Sequence, residues 1–119
     1  MLYKVYFVFR GKIMELLDKI YIGELVLTYG NMLTEKQLSA VKCYYLLDMG
    51  LTEIAENEKI TRQGAYDLVS KSTALLTSFE EKLGVLKLRK CVQNAVQKLE
   101  TIKDKTIEPI IKDLKKILE

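Results

Sequence analysis

The sequence predicts an all-α protein built around a helix-turn-helix, with flanking helices on the N- and C-terminal sides of that motif. The 119 residues include one proline and six glycines, so long stretches lack the residues that interrupt helices. Apolar residues recur every three or four positions along most of the chain, as a buried helical face requires. Segment 51–72 has a pattern typical of two helices joined by a tight turn. We expect a single helical domain over 14–119.

Residues 1–13 differ from the rest of the chain and form a predicted N-terminal extension. They hold four of the ten aromatic residues, and their composition favours strand-like or irregular structure. Two interpretations stay open. The segment is a genuine β-like or disordered arm, or it results from translation at a misplaced start, because the codons before Met14 can form a purine-rich ribosome-binding stretch.

Two helices are predicted before the motif. The first covers 15–29 and ends at Gly30-Asn31; its inner face consists of Leu16, Leu17, Ile20, Leu25, Val26 and Tyr29. Thr34 and Gln37 have the spacing of a capping box, which starts the second helix. The inner face of that helix consists of Leu38, Val41, Tyr45 and Met49. Gly50 is expected to adopt the left-handed conformation that ends it.

The helix-turn-helix is predicted from the residue types between Leu51 and Ser72. Contacts between its two helices are assigned to Ile54, Ile60, Ala65 and Leu68. Ala55 falls where the helices approach too closely for a large side chain, and Thr52 and Thr61 are each placed to cap a helix. Glu58 and Lys59 depart from the usual pattern, which has an apolar residue and a glycine of positive φ at these places.

The second helix of the motif begins near Arg62, and its exposed face is the candidate nucleic-acid-binding surface. That surface comprises Thr61, Arg62, Gln63, Tyr66, Ser70 and Lys71. Glutamine can pair with adenine edges, and arginine can bind guanine or phosphate, so these side chains suit a major groove. The alternative is that they are ordinary solvated residues on a structural helix, with Asp67 beside them repelling phosphate.

The tail, 85–119, is predicted to be helical and to contribute to self-association. An apolar stripe follows Leu88, Val92, Ala95, Val96, Leu99 and Ile102. After a break near Thr106, which is assigned as a cap, Pro109 occupies the first turn of a last helix. Together with the face of residues 16–29, this stripe offers more apolar surface than the motif needs, which predicts a homodimer.

Several of these segments together resemble the YlxM family and, more distantly, region four of bacterial sigma factors. The resemblance is carried by Leu33-Thr-Glu-Lys-Gln, Tyr44-Tyr45 with Asp48, Leu51-Thr-Glu-Ile-Ala-Glu and Thr61-Arg-Gln-Gly-Ala-Tyr-Asp. It implies a small bacterial protein encoded beside signal recognition particle genes, acting in or regulating that pathway. Components of the particle are therefore expected partners. Family members commonly have a basic residue where this chain reads Leu68-Val-Ser-Lys-Ser, a difference that weakens the expectation of phosphate contacts there.

Charge distribution separates two functional hypotheses. The chain carries +3, but segment 51–84 has four basic and six acidic residues, whereas 85–119 has nine basic and five acidic residues. Phosphate-binding surfaces normally cluster lysine and arginine. The exposed Arg62, Gln63 and Tyr66 favour a DNA-binding regulator. The acidic motif favours a protein or ribonucleoprotein interaction module that uses the helix-turn-helix as a scaffold.

Enzymatic, cofactor and membrane functions have no support in the sequence. Without histidine, the Ser-His, Cys-His and His-metal arrangements are impossible, and no glycine-rich loop follows a strand. Cys43 and Cys91 lack paired spacing, so we expect reduced, buried thiols rather than a disulfide or a zinc site. No apolar run approaches the roughly 20 residues of a membrane span. A cytoplasmic protein without metal or cofactor is expected.

Overall fold

The computed structural model describes the backbone of residues 2–119 and the side chains of residue 4 and of residues 10–119. It confirms the all-α fold class, with no strand in this part of the chain. The helices are α1 (Leu2–Tyr29), α2 (Glu35–Val41), α3 (Leu51–Glu58), α4 (Arg62–Leu83), α5 (Val85–Glu100) and α6 (Glu108–Leu118). Short 3-10 turns cover Gly30–Met32 and Lys105–Ile107, and a π-helical segment covers Lys42–Leu46.

The chain forms two compact units, residues 1–82 and residues 83–119. The first unit contains the predicted helix-turn-helix, and the second contains the whole predicted tail. The single-domain organisation expected for 14–119 stays a prediction. None of the helices in residues 2–119 combines the length and the apolar character needed to cross a bilayer.

Residues 2–13 are helical, so the expectation of strand-like or irregular structure for them was wrong. The β propensity of aromatic and β-branched residues depends strongly on context and spans only about 1 kcal/mol. Propagating an existing helix costs much less than starting one. Since no proline precedes Tyr29, the helix of residues 14–29 extends back through Gly11.

The inner face predicted for α1 is correct only in its C-terminal part. Leu25, Val26 and Tyr29 are buried, as expected, whereas Leu16, Leu17 and Ile20 are exposed. The last turn of α1 is tied to α4 in the same unit: the Tyr29 hydroxyl donates to Glu80 Oε1 at 2.5 Å. The Tyr29 ring also lies 5.9 Å from the Phe79 ring, so the pairing combines a hydrogen bond with aromatic packing.

The capping box of α2 is confirmed. The Thr34 hydroxyl accepts from the Gln37 amide at 3.2 Å, and the Gln37 side chain accepts from the Thr34 amide at 3.0 Å. The chain then widens into the π-helical segment, where the Leu47 amide donates to the Lys42 carbonyl five residues back.

The prediction that Gly50 ends this stretch in a left-handed conformation was wrong. The left-handed residue is Asp48, with φ 52°. Gly50 has φ −72° and ψ 160° and is instead the N-cap of α3. An aspartate adopts positive φ more readily than most residues because its short polar side chain bonds locally.

In the second unit, α5 packs against α6. Val96 is buried, but Leu88 and Ile102, at the two ends of the predicted stripe, are exposed. Pro109 lies in the first turn of α6, as predicted. Thr106 is not a cap, because the carboxylate of Asp104 accepts from the Thr106 amide at 2.9 Å and from its hydroxyl at 2.8 Å. These two bonds lower the pKa of Asp104.

Both cysteines are free thiols. Cys43 is buried, as expected, but Cys91 is exposed, so the prediction of two buried thiols was wrong for Cys91. On α5 that position lies outside the buried face that Val96 marks.

Candidate nucleic-acid interface

The turn between α3 and α4 has the geometry that a helix-turn-helix requires. Lys59 adopts the left-handed conformation, with φ 56° and ψ 46°, at the place where glycine is usual. The Ile60 amide donates to the Ala55 carbonyl at 2.9 Å, closing the end of α3. The backbone of Lys59 is therefore in a conformation that is strained for lysine and that glycine would adopt without steric cost.

Thr61 caps α4, as predicted: its hydroxyl accepts from the Gly64 amide at 3.0 Å. A Cβ at Gly64 would lie 3.1 Å from that oxygen, so the absence of a side chain at 64 leaves room for the cap. The cap expected from Thr52 is not formed, because Gly50 is the N-cap of α3 and the helix begins at Leu51, two residues earlier than a Thr52 cap requires. Thr52 instead lies inside the first turn of α3.

Apolar side chains of α3 and α4 are buried together. Ile54, Ala55, Ala65 and Val69 are buried in one cluster, and Ile60 and Leu68 pack against it. This arrangement confirms the assignments of Ile54, Ile60, Ala65 and Leu68. Ala55 is 5% exposed, as its small size predicts.

Glu58, the acidic residue at a usually apolar position, is explained by a partner in α2. The Ser39 hydroxyl donates to Glu58 Oε1 at 2.8 Å. A charged acceptor at this partly buried place thus has a donor, which offsets part of its desolvation. Sequence reasoning missed this pair because serine and glutamate lie 19 positions apart and neither has a motif.

All six predicted site residues are exposed, and five of them lie on the first three turns of α4. Two are engaged within the protein. The Thr61 hydroxyl caps the helix, and the Gln63 amide nitrogen donates to Asp67 Oδ1 at 3.2 Å. A base edge would compete with Asp67 for the Gln63 amide.

Tyr66 and Ser70 border a cleft of about 350 Å³ that sequence reasoning did not find. Its other walls are Tyr44 and Tyr45 of the π-helical segment together with Leu51, Val69 and Thr73. Tyr66 is 53% exposed, so it is available both to the cleft and to the outer face of α4. No sequence pattern signals a π-helical turn, and the two adjacent tyrosines were the only available indication.

The tyrosine pair beside this cleft is held in place by several contacts. The Tyr45 hydroxyl and the Thr73 hydroxyl share a hydrogen bond of 2.8 Å, which joins the π-helical segment to α4. The Tyr44 ring meets the Tyr45 ring edge-on, with centroids 4.8 Å apart. Lys19 Nζ lies 4.6 Å from the Tyr44 centroid and 3.4 Å from Asp48 Oδ1.

Burial raises the pKa of the Tyr45 hydroxyl. The hydrogen bond to Thr73 acts in the opposite direction, as does the charge of Lys19, whereas Tyr44 adds to the rise. Desolvation is the largest of these effects. Partial burial removes water that would stabilise the charged phenolate, and the neutral phenol depends on that water much less. Tyr45 is therefore a neutral, hydrogen-bonding wall of the cleft.

Comparison with known proteins agrees with the motif. The profile of UPF0122, a YlxM/p13-like helix-turn-helix protein family, matches residues 16–117. A UPF0122 protein of Acetivibrio thermocellus is 40% identical over 89 residues, covering 74% of this chain and 74% of the relative. One from Thermoanaerobacter sp. strain X514 is 36% identical over 106 residues, covering 86% and 88% of the two chains. A Clostridium acetobutylicum relative is 36% identical over 92 residues, or 74% and 79%.

Proposed function

Because this chain belongs to the UPF0122 family of YlxM/p13-like helix-turn-helix proteins, we propose that it is a non-enzymatic, homodimeric regulator that binds DNA through α4. The observation that carries the proposal is the exposed start of α4, which presents Arg62, Gln63 and Tyr66 beyond a well-formed turn. That is the position from which recognition helices read base edges. The resemblance to YlxM proteins extends the proposal to regulation of the signal recognition particle pathway.

Electrostatics define how such binding would work. Segment 51–84 has four basic and six acidic residues, so it attracts phosphate poorly on its own. Segment 85–119 has nine basic and five acidic residues and is the better source of positive charge. We therefore assign the attraction of DNA phosphates mainly to the tail, and the recognition of DNA bases mainly to the exposed face of α4.

A salt-dependent gel shift against the protein's own operon promoter tests this function. The affinity should fall with salt by a slope of about 0.9 per phosphate contacted. Arg62→Ala should weaken binding to specific duplex and also reduce binding to random duplex. Lys82→Ala is the matched control, because it removes an exposed cation from the last turn of the same helix.

Gln63→Ala distinguishes the recognition of base edges from the electrostatic attraction to phosphate. It should lower discrimination between promoter and random duplex by roughly 1–3 kcal/mol while leaving binding to random duplex nearly unchanged. Wild-type protein that shows no salt-dependent binding to duplex DNA at low ionic strength would overturn the regulator proposal.

A second function, a protein or ribonucleoprotein interaction module, is favoured by a different observation. Gln63 is already bonded to Asp67, and Tyr66 and Ser70 border a tyrosine-lined cleft beside the acidic motif. Such a surface suits a partner side chain better than a phosphate backbone. Pull-downs with the signal recognition particle GTPase and with its RNA test this alternative. Tyr66→Ala should abolish capture, whereas Lys82→Ala should not.

A further inference from the structure

The cleft between the π-helical segment and α4, here called the tyrosine cleft, is lined only by uncharged residues. Its volume of about 350 Å³ is at the lower end of the range for ligand sites, so it suits one side chain rather than a large cofactor. A charged group inside it would lose water without meeting an opposite charge on the walls. The best-matched occupant is therefore neutral. The walls are Tyr44, Tyr45, Leu51, Tyr66, Val69, Ser70 and Thr73.

The tyrosine cleft has a buried end and an open end. Val69 is 5% exposed, and Tyr45 and Thr73 are half-buried. Tyr66 and Ser70, in contrast, are exposed on the outer face of α4. A side chain carried by another molecule can therefore enter beside Tyr66 and Ser70 and extend toward Tyr45.

Hydrogen bonding determines which polar atom the buried end offers. The Thr73 hydroxyl donates its only proton to the Val69 carbonyl at 2.8 Å. The bond of 2.8 Å between the hydroxyls of Tyr45 and Thr73 is then donated by Tyr45. This direction satisfies both protons, as buried polar groups generally are. The Tyr45 oxygen therefore has its proton in use and can only accept a further bond.

The two adjacent tyrosine rings favour a flat aromatic occupant. The Tyr44 and Tyr45 rings are inclined at 83° to each other. A ring placed against them can stack on one and meet the edge of the other, the two arrangements that aromatic pairs prefer. Lys19 lies over the Tyr44 ring but is not a wall of the cleft. Among aromatic side chains, tryptophan is neutral and its N–H only donates, so it matches an oxygen that only accepts.

We propose that the tyrosine cleft binds a tryptophan side chain of a protein partner, with the indole ring against the tyrosines and its N–H donating to the Tyr45 oxygen. This chain contains no tryptophan, so a second copy cannot supply the side chain and the partner is a different protein. The proposal deepens the interaction-module function, on which it rests, by naming the group that is recognised.

Titration of the isotope-labelled full chain with acetyl-tryptophan amide, followed by two-dimensional NMR, tests the site. A single side chain should bind with a Kd on the order of 1–10 mM. The largest shifts should come from the backbone amides of Val69, Ser70 and Thr73. The matched ligand is the analogue methylated on the indole nitrogen, which keeps the ring but has no N–H. It should bind wild type about 2–12-fold more weakly, the loss expected for one hydrogen bond.

Tyr45→Phe identifies the acceptor. It removes the oxygen but keeps the ring, and the Thr73 hydroxyl keeps its bond to the Val69 carbonyl. The two ligands should bind this variant with equal affinity. Tyr21→Phe is the matched control: it removes a tyrosine hydroxyl from α1, outside the walls of the cleft, and should keep the wild-type preference. Circular dichroism checks that both variants remain helical.

Three results would overturn the proposal. Acetyl-tryptophan amide could leave the amides of Val69, Ser70 and Thr73 unshifted in wild type. Wild type could bind the two ligands with equal affinity. Tyr45→Phe could retain the preference for the ligand that has the N–H. The pull-downs and the gel shift are separate measurements, so failure of the interaction module or of DNA binding is distinguishable from failure of this site.

Discussion

Replacing Ala55 with leucine should destabilise the protein, because Ala55 is buried in an apolar cluster that includes residues of both α3 and α4. Ala55 is 5% exposed and belongs to the cluster of Ile54, Ala65 and Val69. Its carbonyl also accepts from the Ile60 amide at 2.9 Å, which ties this part of α3 to the turn. Three added carbon atoms would therefore force the helices apart or force side chains out of their rotamers. Overpacking of this kind costs about 1–3 kcal/mol.

Thermal unfolding followed by circular dichroism measures the effect of Ala55→Leu. For a chain of this size, the expected cost corresponds to a fall of roughly 3–15 °C in Tm. Ala74→Leu is the matched control, since it makes the same change at an exposed position of α4, and its Tm should stay near that of wild type. Equal Tm values for Ala55→Leu and Ala74→Leu would refute the tight packing of residue 55 in this cluster.

Two further predictions concern the motif turn and the tyrosine pair. Lys59→Gly should raise the free energy of unfolding by about 0.5–1 kcal/mol, because glycine adopts the φ of 56° without steric strain; a lower urea midpoint would contradict this. Burial raises the pKa of Tyr45 in the folded state, so its stabilising contribution is complete below the unfolded pKa near 10 and is lost as pH rises through the folded pKa. Urea unfolding between pH 8 and 11.5 should therefore show a steeper loss of stability for wild type than for Tyr45→Phe, with Tyr66→Phe, which removes an exposed hydroxyl, resembling wild type.

The parts of the fold that local rules govern could be predicted from the sequence. The capping box of Thr34 and Gln37 and the cap by Thr61 depend on residues three positions apart, and both are formed. The apolar contact around Ile54 and Ala65 follows from helical periodicity. Prediction was weaker where packing against neighbouring helices decides which face of a helix is buried. Leu16 and Ile20 have the correct periodicity but are exposed on α1.

The candidate site was predicted in its outline but not in its contacts. The exposure of the α4 face follows from the turn, whose position the motif specifies. The bond from Gln63 to Asp67 links residues four apart on one helix and could have been anticipated from that spacing. The cleft beside Tyr66 could not, because it depends on Tyr45 reaching Thr73 across 28 positions and on a π-helical turn that has no sequence signature.

The π-helical segment also sets the angular positions of its own side chains relative to α2. Its bond from Leu47 to Lys42 spans one residue more than an α-helical bond, which amounts to an insertion of a single residue into α2. Each residue turns an α-helix by about 100°. A homologue with one residue fewer between positions 42 and 46 would keep an uninterrupted helix but rotate a different side chain toward Thr73. Single-residue gaps at this point in a family alignment would therefore mark proteins whose cleft has different walls.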